Sequence, residues 1–95
     1  RDVAAWLVHA HLSAGASAMS FEPIVASGPR GALPHARPSD RPLGAGELVV
    51  IDVGGVFGGV CSDFTRTVAL GDPGDEARAD HAAVARAHDA GVAAI

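Results

Sequence analysis

The sequence predicts an α/β fold, with a curved, mainly antiparallel sheet and helices on one face. Three observations predict it. Residues 2–12 carry apolar side chains at helical spacing. Two apolar runs flank Gly58-Gly59 and read as a β-hairpin. A helix signal opens at Asp72 and runs to the end of the chain.

In "DVAAWLVHAHL", Val3, Trp6, Leu7 and Ala10 fall on one helical stripe. "SAGASAMS" ends that helix with Gly15 and small polar residues. "FEPIVASG" reads as a short strand with an irregular or edge start at Pro23. "PRGALPHARPSDRPLGAGE" holds four prolines and reads as a structured loop, and a loop that long is often functional. Strands follow over Leu48–Gly54 and Val60–Ala69. In "GDPGDEARAD", Asp72 suits the cap, Pro73 the first helical position, and Asp75 and Glu76 the positive end of the helix dipole. Val84, Ala87, His88, Gly91, Val92 and Ile95 then share one stripe.

Composition narrows the function classes. Hydrophobic content of 48% excludes a disordered chain. Aromatics at 4% leave a core of Ala, Val, Leu and Ile, which buries little area per residue. The net charge is −4 and the seven basic residues, all Arg, are scattered, so no nucleic-acid footprint exists. No apolar run approaches membrane-spanning length. The single Cys61 rules out an intrachain disulfide and fits a reducing, cytoplasmic compartment. A chain that starts at Arg1 and stops in a helix reads as a piece of a longer protein.

The hairpin contains two aspartates, Asp52 and Asp63, in the most apolar stretch of the chain. Gly58-Gly59 makes a good two-residue turn, because glycine accepts positive φ at both central positions. Counting outward pairs Phe57 with Val60, Gly54 with Asp63, and Asp52 with Thr65. Asp52, Gly54, Asp63 and Thr65 then share one face. Ile51, Val53, Phe64 and Val68 share the other, which packs on helices. Diagonal neighbours of this kind lie roughly 7 Å apart at the backbone. Two carboxylates about 5 Å apart repel by roughly 3 kcal/mol at an effective dielectric near 20. Protonation of one relieves that repulsion, and so does a cation between them. Gly54 leaves room beside the pair, and two metal ions fit the spacing. A wet sheet face with two exposed aspartates fits the same pattern, and a bulge in the turn would shift the register.

"SFEPIVASGPRGALPHARPSD", "LVVIDVGG" and "CSDFTRT", in that order, resemble the aminopeptidase P and prolidase branch of the pita-bread metallopeptidases. The resemblance spans nearly the whole chain and implies the N-terminal half of a catalytic domain, residues 1–95. It implies that Asp52 chelates one metal ion and that Asp63 bridges two. It implies that His35 lines the substrate pocket and helps orient the peptide or the developing oxyanion. The remaining ligands, a histidine and two glutamates, are implied beyond Ile95. The implied chemistry is two-metal hydrolysis of the peptide bond before proline, with a proline-containing peptide or dipeptide as substrate. Mn²⁺ suits oxygen and imidazole ligands, with Co²⁺ or Zn²⁺ as substitutes. The parent is open to homo-oligomer formation. Arg30 and Ala36 depart from the Asn and Gly common in relatives, which touches substrate preference and not the metal positions.

Other candidates carry less. His9 and His11 do not face each other on a helix. His81 and His88 are too far apart to share an ion and read as partly buried packing. Cys61 reads as a small buried hydrophobe. Arg66 projects onto the apolar face, and Thr65 suits a supporting bond to a metal-binding carboxylate. Three competing readings remain at this level: a non-catalytic homologue acting as a binding module, a creatinase-like C–N hydrolase, and an inert fragment.

Overall fold

One tight turn organises the sheet. A computed structural model describes residues 1–95. In it Gly58 and Gly59 both have positive φ, +58° and +84°. These values fit the two-residue turn whose twist matches paired strands. Outward from the turn, Phe57 pairs with Val60 and Val56 with Cys61. Further out, Val53 pairs with Phe64, Asp52 with Thr65 and Leu48 with Ala69. The register expected from the turn therefore holds, with no bulge.

The chain order is α1 (Asp2–Ser13), β1 (Ala18–Met19), β2 (Ile24–Ser27), a 3₁₀ turn (Gly28–Arg30), β3 (Leu48–Val53), β4 (Gly55–Phe57), β5 (Val60–Cys61), β6 (Phe64–Ala69) and α2 (Gly74–Ala93). β2, β3 and β6 form one antiparallel sheet with β3 in the centre. β1, β4 and β5 form a second, with β4 in the centre. The two long strands expected of the hairpin are each divided in two. The division lies where Gly54 meets Ser62. A Cβ on Gly54 would stand 1.9 Å from the Ser62 carbonyl oxygen. Gly54 is thus a site of close backbone approach, not only a source of room beside the aspartates. Ser62 bridges the break: its Oγ accepts from the Gly55 N–H and donates to the Gly55 carbonyl, both at 3.0 Å.

Alternation sends Val49, Ile51 and Val53 to one face. Their neighbours Val25 and Ser27 on β2 lie opposite Ile51 and Val49. α1 lies on this face, and Ala4, Val25 and Val49 form the buried core, flanked by Val3, Leu7, Leu43 and Ile51. Trp6, expected on the packed stripe, is 65% exposed, because the stripe that meets the sheet is centred on Ala4 and Leu7. β1, which pairs with β4, was not expected, because its two residues lie in a stretch read only as a helix end. It forms through backbone bonds, with Ser17 and Ser20 donating to the carbonyls of Val56 and Gly54 at 2.9 Å.

α2 starts at Gly74, two residues past the expected cap. Pro73 lies just outside the helix, and Gly74 turns the chain with φ of +81°. Asp72 Oδ1 accepts from the Gly74 N–H and from Arg78 Nη2. No residue of α2 is buried. His81 and His88 are exposed, so the packing role expected for them is not realised. The layer on the helical face is supplied by α1. Cavities bordered by Leu48, Val50 and Thr67 separate α2 from the strands.

The loop between β2 and β3 is clasped at its base. The Arg41 guanidinium bonds both carboxylate oxygens of Glu47, and Arg41 Nη1 also donates to Ser27 Oγ at 3.0 Å. Glu47 Oε2 accepts from the Gly44 N–H at 2.9 Å. The arginine bond is the main cause that holds the Glu47 carboxyl down to about 2, from an ordinary value of 4.5. Because the folded-state value is depressed, this contribution to stability is complete above the ordinary value. It fades as pH falls through the folded value.

Thermal melts at stepped pH should therefore show stability falling between about pH 4.5 and 2. Glu47→Gln should flatten that fall. A wild-type dependence equal to the variant's in this window would refute the clasp. Gly54→Ala should lower stability by about 1–3 kcal/mol or more in urea unfolding, since a backbone carbonyl cannot swing aside.

Candidate active site

The register decides which side chains meet. Asp52 sits near the end of β3, and Asp63 occupies the break between β5 and β6. Both border one cavity of about 410 Å³, together with Phe21, Ile24 and His35. His35 arrives from the loop between β2 and β3, far from the hairpin in sequence. Its neighbour Ala36 is 3% exposed and donates its N–H to the Leu33 carbonyl at 3.2 Å. Arg30 Nη2 donates to the Arg37 carbonyl at 2.8 Å. The main chain around His35 is thus anchored on both sides, while His35 itself is exposed.

The aspartates are not entombed. Asp52 is half-buried and Asp63 is exposed. Thr65 Oγ1, directly opposite, donates to Asp52 Oδ1 at 2.9 Å. Asp63 accepts no side-chain hydrogen bond, and no Arg or His forms an ion pair with either aspartate. Arg66 is close in sequence but lies on the other face, as expected. Its guanidinium stacks 3.8 Å from the centroid of the Phe64 ring, and Nη1 donates to the Thr65 carbonyl.

Two uncompensated carboxylates facing one cavity are hard oxygen donors, and they suit a divalent cation. They form only part of a donor set. No group of three or more His, Cys, Asp or Glu side chains stands close enough to hold an ion. The residues present supply two oxygen donors toward such an ion, fewer than a complete set.

Cys61 is exposed beside the turn, not buried as a small hydrophobe. Sequence reasoning left out Glu22 and Arg37, which also line the cavity and stand 3.6 Å apart as an ion pair. Their signal was present: Arg37 lies two residues past His35, and Glu22 two residues before Ile24. The closeness of β2 to the loop was not readable. Ser62 was missed too, since a hydroxyl spanning a ladder break has no sequence signature.

Residues 1–95 match the description Metallopeptidase family M24. The chain belongs to metallopeptidase family M24. The probable dipeptidase PepE of Mycobacterium tuberculosis is 43% identical over 95 residues, which are 99% of this chain and 25% of that protein. The Xaa-Pro dipeptidase of Pyrococcus furiosus is 42% identical over 78 residues, 82% of this chain and 22% of that one. Among solved structures, the X-Pro aminopeptidase of Thermotoga maritima superposes with a TM-score of 0.89 at 40% identity. That superposition covers 93% of this chain and 25% of the aminopeptidase. The M24 chain thus spans about a quarter of the length of these relatives. It carries part of the pita-bread fold of the aminopeptidase P and prolidase branch. Membership in a metallopeptidase family implies divalent metal cofactors.

Because Asp63 is exposed and bonds to nothing, Asp63→Ala should leave the unfolding midpoint within about 0.5 kcal/mol of wild type. A substantially larger loss would show that this carboxylate is part of the fold.

Proposed function

We propose that the protein carrying this chain hydrolyses peptide bonds that precede proline. These 95 residues serve as the N-terminal half of its catalytic domain. The observation that supports this best is the meeting of Asp52, Asp63 and His35 on one cavity, in a chain whose relatives include Xaa-Pro peptidases.

Asp52 and Asp63 would hold two divalent ions, with Asp63 contributing to both. Thr65 fixes one oxygen of Asp52, so the other is free to point at a cation. Oxygen and imidazole donors favour Mn²⁺, with Co²⁺ or Zn²⁺ as substitutes. When bound there, such ions would lower the pKa of a water and polarise a scissile carbonyl. His35, on the same cavity, would face the substrate and stabilise the oxyanion that develops at that carbonyl. Phe21 and Ile24 give the cavity an apolar side that suits a proline ring. The lone, unpaired Cys61 supports a reducing, cytoplasmic setting. No helix of the chain is long and apolar enough to cross a membrane.

The test is an assay of the full-length protein with Mn²⁺ on alanyl-proline, alanyl-prolyl-alanine and creatine. Cleavage of a proline peptide, lost on chelation and restored by Mn²⁺, supports the proposal. Asp52→Asn and Asp63→Asn should each abolish turnover, and His35→Ala should lower kcat by about 10²–10³-fold. Cleavage of creatine alone would replace the reading with a different C–N hydrolase. Metal binding without any turnover would favour a binding module. Residues 1–95 by themselves should show none, having too few donors.

A further inference from the structure

His35 makes none of the loop's hydrogen bonds, by main chain or side chain, so its place is set by its neighbours. Those neighbours form a run of short turns. The Gly31 N–H donates to the Gly28 carbonyl at 2.9 Å, Leu33 to Arg30 at 3.0 Å, and Ala36 to Leu33 at 3.2 Å. Bonds this local fix a curl without fixing where it stands. One bond spans the run: Arg30 Nη2 donates to the Arg37 carbonyl at 2.8 Å, and His35 lies inside the ring it closes. Arg30 has a fixed base for this reach. It ends the 3₁₀ turn that follows β2, where Ala26 and Ser27 are buried.

No carboxylate pairs with Arg30, unlike Arg1, Arg37, Arg41 and Arg78. Its Nε is buried without an acceptor. An orphaned buried N–H is unfavourable, and turning the side chain out to water would relieve it. The arrangement persists because Nη2 gains the Arg37 carbonyl, and a charged donor makes a stronger bond than a neutral one. Arg30 also approaches the loop from behind. It borders no part of the cavity of Asp52, Asp63 and His35. It lines a separate cavity of about 260 Å³, with Asp2, Ser39 and Arg41. Arg41 does not substitute for it, because its bonds go to Ser27, Pro42 and Glu47 at the base of the loop. Resting on the peptidase reading above, we propose that Arg30 is a positioning residue for His35. Its cross-loop bond holds the imidazole on the cavity wall, in reach of the developing oxyanion. Arg30 itself touches neither substrate nor metal.

Arg30→Met keeps the apolar stem and removes every donor. In the full-length protein with Mn²⁺ it should lower kcat on alanyl-proline about 10–100-fold. KM should stay within about two-fold of wild type. Added to His35→Ala it should cause no further loss, because a residue acting through His35 has no effect once the imidazole is gone. A merely structural role would multiply the two losses instead. Hydrogen exchange reads the contact without turnover. The Ala36 amide should exchange about 10-fold faster in Arg30→Met, with the amides of β3 unchanged. Arg30→Lys keeps the charge and a terminal donor, so it should restore part of kcat and part of the Ala36 protection together. Multiplied losses in the double variant, unchanged exchange at Ala36, or recovery of one readout without the other overturns the proposal. Should Arg30→Met not fold, Arg30→Lys decides alone: its kcat and Ala36 protection fall together, and its kcat loss vanishes in the His35→Ala background, or the proposal fails. A protein that cleaves no proline peptide sinks the peptidase reading, while faster exchange at Ala36 in Arg30→Met still shows Arg30 holding the loop.

Discussion

The meeting of two backbones at Gly54 and Ser62 governs the arrangement of the hairpin. With no side chain on Gly54, the Ser62 carbonyl comes to a place a Cβ would occupy. Ser62 then closes the gap through its hydroxyl to both polar groups of Gly55. The ladder is interrupted without losing count, so pairing on either side obeys the register set at Gly58-Gly59. Asp63 lies inside this interruption and Asp52 two residues before it. The break frees Asp63 from a strict strand position, and the conserved count keeps it on the face of Asp52. A side chain at 54 would disturb both effects together.

The second organising contact is the Arg41–Glu47 clasp. A long, proline-rich loop costs conformational entropy to order, and that cost must be offset by bonds that it alone makes. Here Arg41 links Ser27 at the end of β2 to Glu47 at the start of β3, and Glu47 holds Gly44. Further out, Arg30 takes the Arg37 carbonyl. Two arginines thus brace the loop at its base and its middle, and His35 stands just before the second brace. The base of the loop lies beside the core: Ser27 shares the face of Val25 and Val49, and Leu43 packs against them.

The parts legible in the sequence were those fixed by local chemistry. Two adjacent glycines dictate a turn, the turn dictates a register, and alternation dictates faces. That chain of reasoning placed Asp52 opposite Thr65 and Arg66 on the far face, as the structure has them. The failures are tertiary. Trp6 satisfies helical spacing yet points outward, because spacing marks a stripe without saying which part of it meets the sheet. The α2 stripe through Val84 and Val92 is real in spacing but exposed, since nothing in residues 1–95 covers it. β1 is only Ala18–Met19, too short for a period-two pattern to show, and it is held by backbone bonds more than by burial. Arg37 was passed over for a similar reason: its pairing with Glu22 depends on the segment before β2 lying beside the loop.

Period-two alternation also explains why the aspartates stay free. The hairpin contains one arginine, Arg66, adjacent to Thr65 and three residues from Asp63. On a loop it would neutralise one carboxylate. On a strand it must face away from Thr65 and from Asp52 opposite, and it settles on Phe64 instead. Elsewhere in the chain, Asp40, Glu22, Glu47 and Asp72 each have an arginine partner. The two aspartates of the hairpin have none, so the same geometry that brings them together also withholds the internal cation that would quench them. Within these 95 residues their charge has no arginine partner, and the proposed metal role rests on that.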